Sequence, residues 1–140
     1  MDIAEEVKKL NLPLGKYVVV GSAILQMKGI RNSGDIDLVV SQDLFRDLQK
    51  KGWKRKWFFC GMFQRRAITN GTMEAFSNRN YKNYWGSAET LIGKAEIIDG
   101  IPFWPLDELV KFKKELGREK DLKDIMSINE YLKKLDNEIS

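Results

Sequence analysis

Two short β-branched runs, each joined to a polar signal, constrain this chain more than any other feature. The first is Tyr17-Val18-Val19-Val20 followed by Gly21-Ser22; the second runs from Asp35 to Val40 and carries carboxylates at Asp35 and Asp37. Three consecutive valines read as a buried strand. Ala23 to Lys28 then has helical spacing and meets a stop at Gly29, so the order is strand, tight turn, helix, strand. A glycine at such a turn lets another group approach the main chain. A serine at the N-cap leaves its hydroxyl and the first N–H groups facing outward at the positive end of the helix, and such an end accepts phosphate. On a strand, residues two apart share a face, so Asp35 and Asp37 project together while Ile36 and Leu38 face a core. Two carboxylates that close repel unless a cation joins them, and hard oxygen donors suit Mg²⁺ or Mn²⁺. Alone, Gly-Ser before a helix is ordinarily a cap and Asp-x-Asp beside a glycine a solvated turn. Joined by a helix of about two turns, the pair is far more specific.

Composition narrows the chemistry. A length of 140 residues suits a single domain with one proper core. No run reaches the ~20 apolar residues needed to cross a membrane. Met1 to Leu10 is acidic and amphipathic, unlike a signal peptide. One cysteine, Cys60, precludes an intramolecular disulfide and fits a reducing cytoplasm. The chain has no histidine, which excludes Ser-His triads, imidazole acid–base catalysis and the usual zinc sites. Catalysis would then fall to carboxylates, lysines and a hard metal.

The rest of the chain predicts an α/β or α+β domain, a mixed β-sheet with helices packed against it. Helices are expected at Asp2 to Leu10, at Asp43 to Lys51 with Ser41 as N-cap, and from Leu106 to Leu116 between Pro105 and Gly117. Strand-like pieces fill Lys56 to about Ser77, broken at Gly61 and at the hairpin signal Asn70-Gly71; a second hairpin is expected around Asp99-Gly100. Asn78 to Gly86 reads as loop. The closing helix, about Lys120 to Leu135, puts Leu122, Ile125, Met126 and Leu132 on one face. In the helix before it, Leu106, Leu109, Val110 and Lys113 fall at i, i+3, i+4 and i+7, so a lysine interrupts the core-facing stripe. Either Lys113 snorkels to solvent or it reaches a carboxylate or phosphate.

The net charge of +4 is concentrated: Arg46 to Arg66 holds eight basic residues and one acid, Asp47. Trp53, Trp57, Phe58, Phe59 and Phe63 are interleaved with that charge, a mixture suited to nucleotides or nucleic acid. The plainer alternative is a core strand flanked by solvated lysines.

The stretch Val18-Val-Val-Gly-Ser-Ala through Lys28-Gly-Ile-Arg-Asn-Ser-Gly-Asp-Ile-Asp-Leu38 resembles the signature of the DNA polymerase beta-like nucleotidyltransferase superfamily: Gly-(Gly/Ser), a helix, then Asp-x-Asp on the next strand. Pro105 to Lys113 followed by Gly117 to Ile125 is similar to the C-terminal part of small prokaryotic members, the branch containing Abi-type toxin nucleotidyltransferases. The resemblance implies a nucleotidyltransferase fold in one minimal domain and transfer of a nucleoside monophosphate from a nucleoside triphosphate to a hydroxyl. It implies that Gly21 and Ser22 hold the β- and γ-phosphates and that Asp35 and Asp37 ligate Mg²⁺ or Mn²⁺. It also implies a third carboxylate that completes the metal site, for which Glu74 is the best match; otherwise Glu74 is a glutamate on a wet sheet face. Arg31 matches a basic loop position, and Lys113, Lys120 and Asp121 match the C-terminal block. The acceptor stays open among RNA, a protein side chain and a small molecule such as an antibiotic. Two alternatives stay open as well: a catalytically idle, antitoxin-like partner that binds nucleotide or RNA, and an RNA-binding module using the basic segment alone.

Overall fold

A computed structural model describes residues 2–60, 63–77 and 86–139. The elements follow in the order α1 (Ile3–Lys8), β1 (Tyr17–Val20), α2 (Ala23–Met27), β2 (Ile36–Val40), α3 (Gln42–Lys50), β3 (Lys54–Cys60), β4 (Phe63–Thr69), β5 (Met73–Phe76), α4 (Ala88–Gly93), β6 (Glu96–Ile98), β7 (Ile101–Phe103), α5 (Leu106–Leu116) and α6 (Glu119–Ile139). The strands form one seven-stranded sheet in the order β3-β4-β5-β2-β1-β7-β6. It is mixed: β1 runs parallel to β7 and β2 parallel to β5, while the remaining neighbours are antiparallel. Among the described residues no helix is long and apolar enough to cross a membrane.

The valine run explains the centre of this sheet. Every residue of β1 is buried, because β2 and β7 flank it and helices cover its faces; a strand covered on both sides needs apolar residues throughout. Trp104 extends the β1–β7 pairing, its N–H donating to the Val19 carbonyl at 2.8 Å. Its ring meets Phe112 of α5 with centroids 5.7 Å apart, which seats α5 at the end of β1.

Local punctuation behaves as the residue types require. Asp2 and Ser41 cap α1 and α3 through their side-chain oxygens, each satisfying an otherwise orphaned N–H. Gly117 ends α5 in the left-handed region at φ +62, where a side chain is strained. At Asn70-Gly71 the Asn70 Oδ1 accepts from the N–H groups of Thr72 and Met73 at 2.9 and 2.8 Å, turning the chain from β4 into β5.

Two differences from the sequence reading matter. Ala88–Gly93 forms a helix where no element was expected. Leu122, Met126 and Leu132 of α6 are exposed, at 53%, 64% and 42%, so the expected apolar face is not the one that packs. The face that does pack carries Asp121, Asp124 and Ile128, all buried. The break at Gly61 and the loop at 78–85 lie outside the described residues, as do the side chains of Trp57, Phe58, Phe59 and Phe63.

Candidate functional site

Gly21 and Ser22 follow β1 directly, and Gly21 takes a φ of +72, a conformation that glycine alone adopts at little expense. The chain reverses there and re-enters the sheet as β2, antiparallel to β1, with Val20 registered against Asp37. The turn and the aspartates therefore meet at the same end of the sheet. Gly21, Ser22, Asp35 and Asp37 line one cleft of about 160 Å³, whose far wall is Lys113, Arg118 and Lys120 and whose apolar lining includes Leu109 and Phe112. A wider cleft of about 570 Å³ continues from it along Arg31, Lys123 and Ser127.

Ser22 departs from its expected role. It occupies the N-cap position of α2 but makes no side-chain cap, and α2 has only five residues. The dipole of so short a helix is small. Ser22 Oγ instead lies 3.2 Å from Arg31 Nη2, so positive charge at the turn comes from side chains more than from the helix. The loop carrying Arg31 is tied back to α2, where Gln26 Oε1 accepts from the Ser33 N–H at 3.0 Å.

Glu74 is on β5, parallel to β2, and registers directly against Asp37. Registered neighbours project from the same face, which sets Glu74 on the side of the aspartates. Its Oε1 accepts from Lys56 Nζ at 2.8 Å. Glu74 raises the Lys56 pKa above its ordinary range through this bond and through its charge, and Asp35 and Asp37 add to the effect. Among the described residues no three carboxylate or thiol groups stand close enough together to hold a metal ion. Two carboxylates remain a fitting donor set for a hard cation where a triphosphate supplies further oxygens, since Mg²⁺ commonly uses one or two carboxylates plus substrate phosphates.

The cationic wall is built around two buried aspartates. Asp124 receives a bidentate pair from Arg31, Nε to Oδ1 at 2.7 Å and Nη2 to Oδ2 at 2.8 Å. Lys113 Nζ bonds the same carboxylate at 2.8 Å and Asp121 at 3.4 Å. Arg118 closes the chain on Asp121 through Nε at 2.6 Å and Nη2 at 3.1 Å. Burial pushes both carboxyls up, but the cations outweigh it: Arg31 and Lys113 bring Asp124 down to about 2, and Arg118 and Lys113 hold Asp121 below its ordinary range. Lys113 thus resolves toward a carboxylate rather than solvent. It is 5% exposed, and two aspartates offset the penalty for burying its charge.

Of the residues singled out in the sequence, Gly21, Ser22, Arg31, Asp35, Asp37, Lys113 and Lys120 border the joined clefts, Asp121 lies behind them, and Glu74 stands beside Asp37. Arg118, Lys123 and Asp124 were missed. The signal was available in the spacing: Asp121, Asp124 and Ile128 fall at i, i+3 and i+7 on α6, a buried stripe in which two positions are acidic. No family model, no curated protein and no solved structure matches the chain.

Proposed function

We propose that this chain is a metal-dependent nucleotidyltransferase that moves a nucleoside monophosphate from a nucleoside triphosphate to a hydroxyl acceptor. One observation carries the reading: a backbone turn at Gly21-Ser22, two aspartates and a wall of cations border a single cleft. Each part has a task that the others cannot perform. Arg31, Lys113 and Arg118 supply fixed positive charge for the triphosphate, Lys120 adds an exposed ammonium beside them, and the Gly21-Ser22 turn lets phosphate oxygens approach the main chain. Asp35 and Asp37 hold the divalent cation, Mg²⁺ or Mn²⁺, which when bound neutralises phosphate charge and lowers the pKa of the acceptor hydroxyl. The acceptor hydroxyl gives its proton to a cleft carboxylate, its oxygen forms a bond to the α-phosphorus, the α–β bridging bond breaks, and pyrophosphate leaves with its charge against the cationic wall. Positioning and electrostatic stabilisation do most of the work.

The test incubates the protein with Mg²⁺ or Mn²⁺, each labelled nucleoside triphosphate and cell extract, and follows label into larger species. Transfer lost by 100-fold or more in Asp37→Asn is the expected result, by the scale of lost transition-state stabilisation; transfer undiminished in that variant rejects the assignment. A second reading, a nucleotide-binding protein without transfer activity, draws on the Lys56–Glu74 ion pair, which occupies the third carboxylate. It predicts nucleotide binding with no labelled product.

A further inference from the structure

β3 is an edge strand, and its register sets Lys56 opposite Ala67 of β4, while β4 sets Thr69 opposite Glu74 of β5. Lys56 and Glu74 are therefore separated by a whole strand. The lysine stem spans β4 diagonally, from the level of Ala67 to that of Thr69, and Nζ reaches Glu74 Oε1 at 2.8 Å. Glu74 in turn neighbours Asp37 on the adjacent β2. The ammonium thus sits at the border of the carboxylate set, on the one carboxylate that the cation-holding pair lacks.

We propose that Lys56 is a built-in counter-ion of the carboxylate set, which neutralises Glu74 and must release it before Glu74 can join a divalent cation held by Asp35 and Asp37. The inference rests on the reading of those two aspartates as cation ligands. Its physics is an exchange of charges. Converging carboxylates need a nearby cation to stay ionised together, and without metal the lysine meets that need. Once a divalent ion arrives, the ammonium becomes a like charge a few ångströms away and opposes it. Lys56 is then a positioning residue that sets a threshold for metal retention, so the ion binds weakly alone and well only with phosphate oxygens beside it.

The experiment measures binding of Mn²⁺ alone to the full chain without nucleotide, by the electron paramagnetic resonance signal of the free ion. Lys56→Met is expected to bind Mn²⁺ about tenfold more tightly at low salt, the effect of removing a unit positive charge about 5 Å from a divalent ion in a water-like dielectric. Lys56→Arg is expected to match the parent chain, and adding Glu74→Gln to Lys56→Met is expected to abolish the gain. Unchanged or weaker binding in Lys56→Met, with binding still lost in Asp35→Asn/Asp37→Asn, overturns the counter-ion role and leaves the cation reading standing. Binding retained in the double asparagine variant overturns both, as does absence of binding in every variant. Lys56 lies half-exposed on an edge strand, so its substitution leaves the core intact, and circular dichroism checks the fold of every variant.

Discussion

The buried charge cluster behind the cleft makes a quantitative prediction through a double-mutant cycle on Lys113 and Asp124. Both are 5% exposed, and their charged atoms are 2.8 Å apart. Removing one partner of a buried ion pair typically costs about 3–5 kcal/mol, because the survivor is left charged and poorly solvated. The neighbours here decide which single variant is worse. In Lys113→Met, Asp124 keeps its bidentate Arg31 and Asp121 keeps Arg118, so a loss of about 2–3 kcal/mol is expected, at or below the low end of that range. In Asp124→Leu, Lys113 keeps, among the described residues, Asp121 alone at 3.4 Å, and about 4 kcal/mol is expected. The double variant leaves no buried ammonium and no orphaned carboxylate; Arg31, 42% exposed along its side chain, turns to water. Its loss should not exceed about 3 kcal/mol, giving a coupling energy of about 3–4 kcal/mol. Urea unfolding at pH 7 measures all four corners, provided the denaturant dependence stays constant. Singles that add to the double within about 0.5 kcal/mol, or a Lys113→Met variant worse than Asp124→Leu, refute the argument.

Two further predictions follow from the same region. The Asp124 carboxyl, held at about 2 against an ordinary 3.8, binds its proton less readily folded than unfolded; its contribution of about 2 kcal/mol is fully present above about pH 5 and disappears as the pH falls toward 2. Unfolding free energies measured at pH 6 and pH 3 should therefore converge more in Asp124→Leu than in the parent chain, and an equal fall in both would contradict the assignment. Gly21→Ala places a side chain at φ +72, so it should lower stability by about 1–2 kcal/mol and weaken binding of a fluorescent nucleoside triphosphate. Unaltered stability would show that the turn does not require glycine.

The legible parts of the fold were those whose signals are local. Three valines in β1, the glycine stop of α5 and the turns at Asn70-Gly71 and Asp99-Gly100 each act over a few residues, and the sequence reading placed them correctly. α4 escaped because six residues are too few for a periodic stripe, and only Ala88 and Leu91 are buried. α6 was found but turned the wrong way. Its buried stripe holds Asp121 and Asp124, which any hydrophobic scale assigns to solvent, while Leu122 and Met126 are in fact exposed. Burial of Asp124 becomes favourable only when Arg31, 93 residues away in sequence, and Lys113 are beside it, and Asp121 likewise depends on Lys113 from the preceding helix as well as on Arg118. The place of Glu74 had the same non-local cause: its register with Asp37 depends on β5 lying parallel to β2 after the intervening α3 and the β3–β4 pair.

The arrangement of charges means that the metal-bound nucleoside triphosphate proposed above would need little rearrangement of the protein. Arg31, Lys113 and Arg118 are each fixed by Asp121 or Asp124, so their positions are set before any anion arrives, which is the condition under which electrostatic stabilisation is most effective. Neutralisation by the aspartates does not cancel them: three cations face two carboxylates, a surplus of one. Lys120, exposed at the mouth of both clefts, adds charge that can follow a ligand. Across the cleft, Asp35 and Asp37 hold the opposite sign. A bare anion would be attracted to one wall and repelled by the other, and a bare cation the reverse. A phosphate chain carrying its own divalent ion, the ligand proposed above, would satisfy both walls at once.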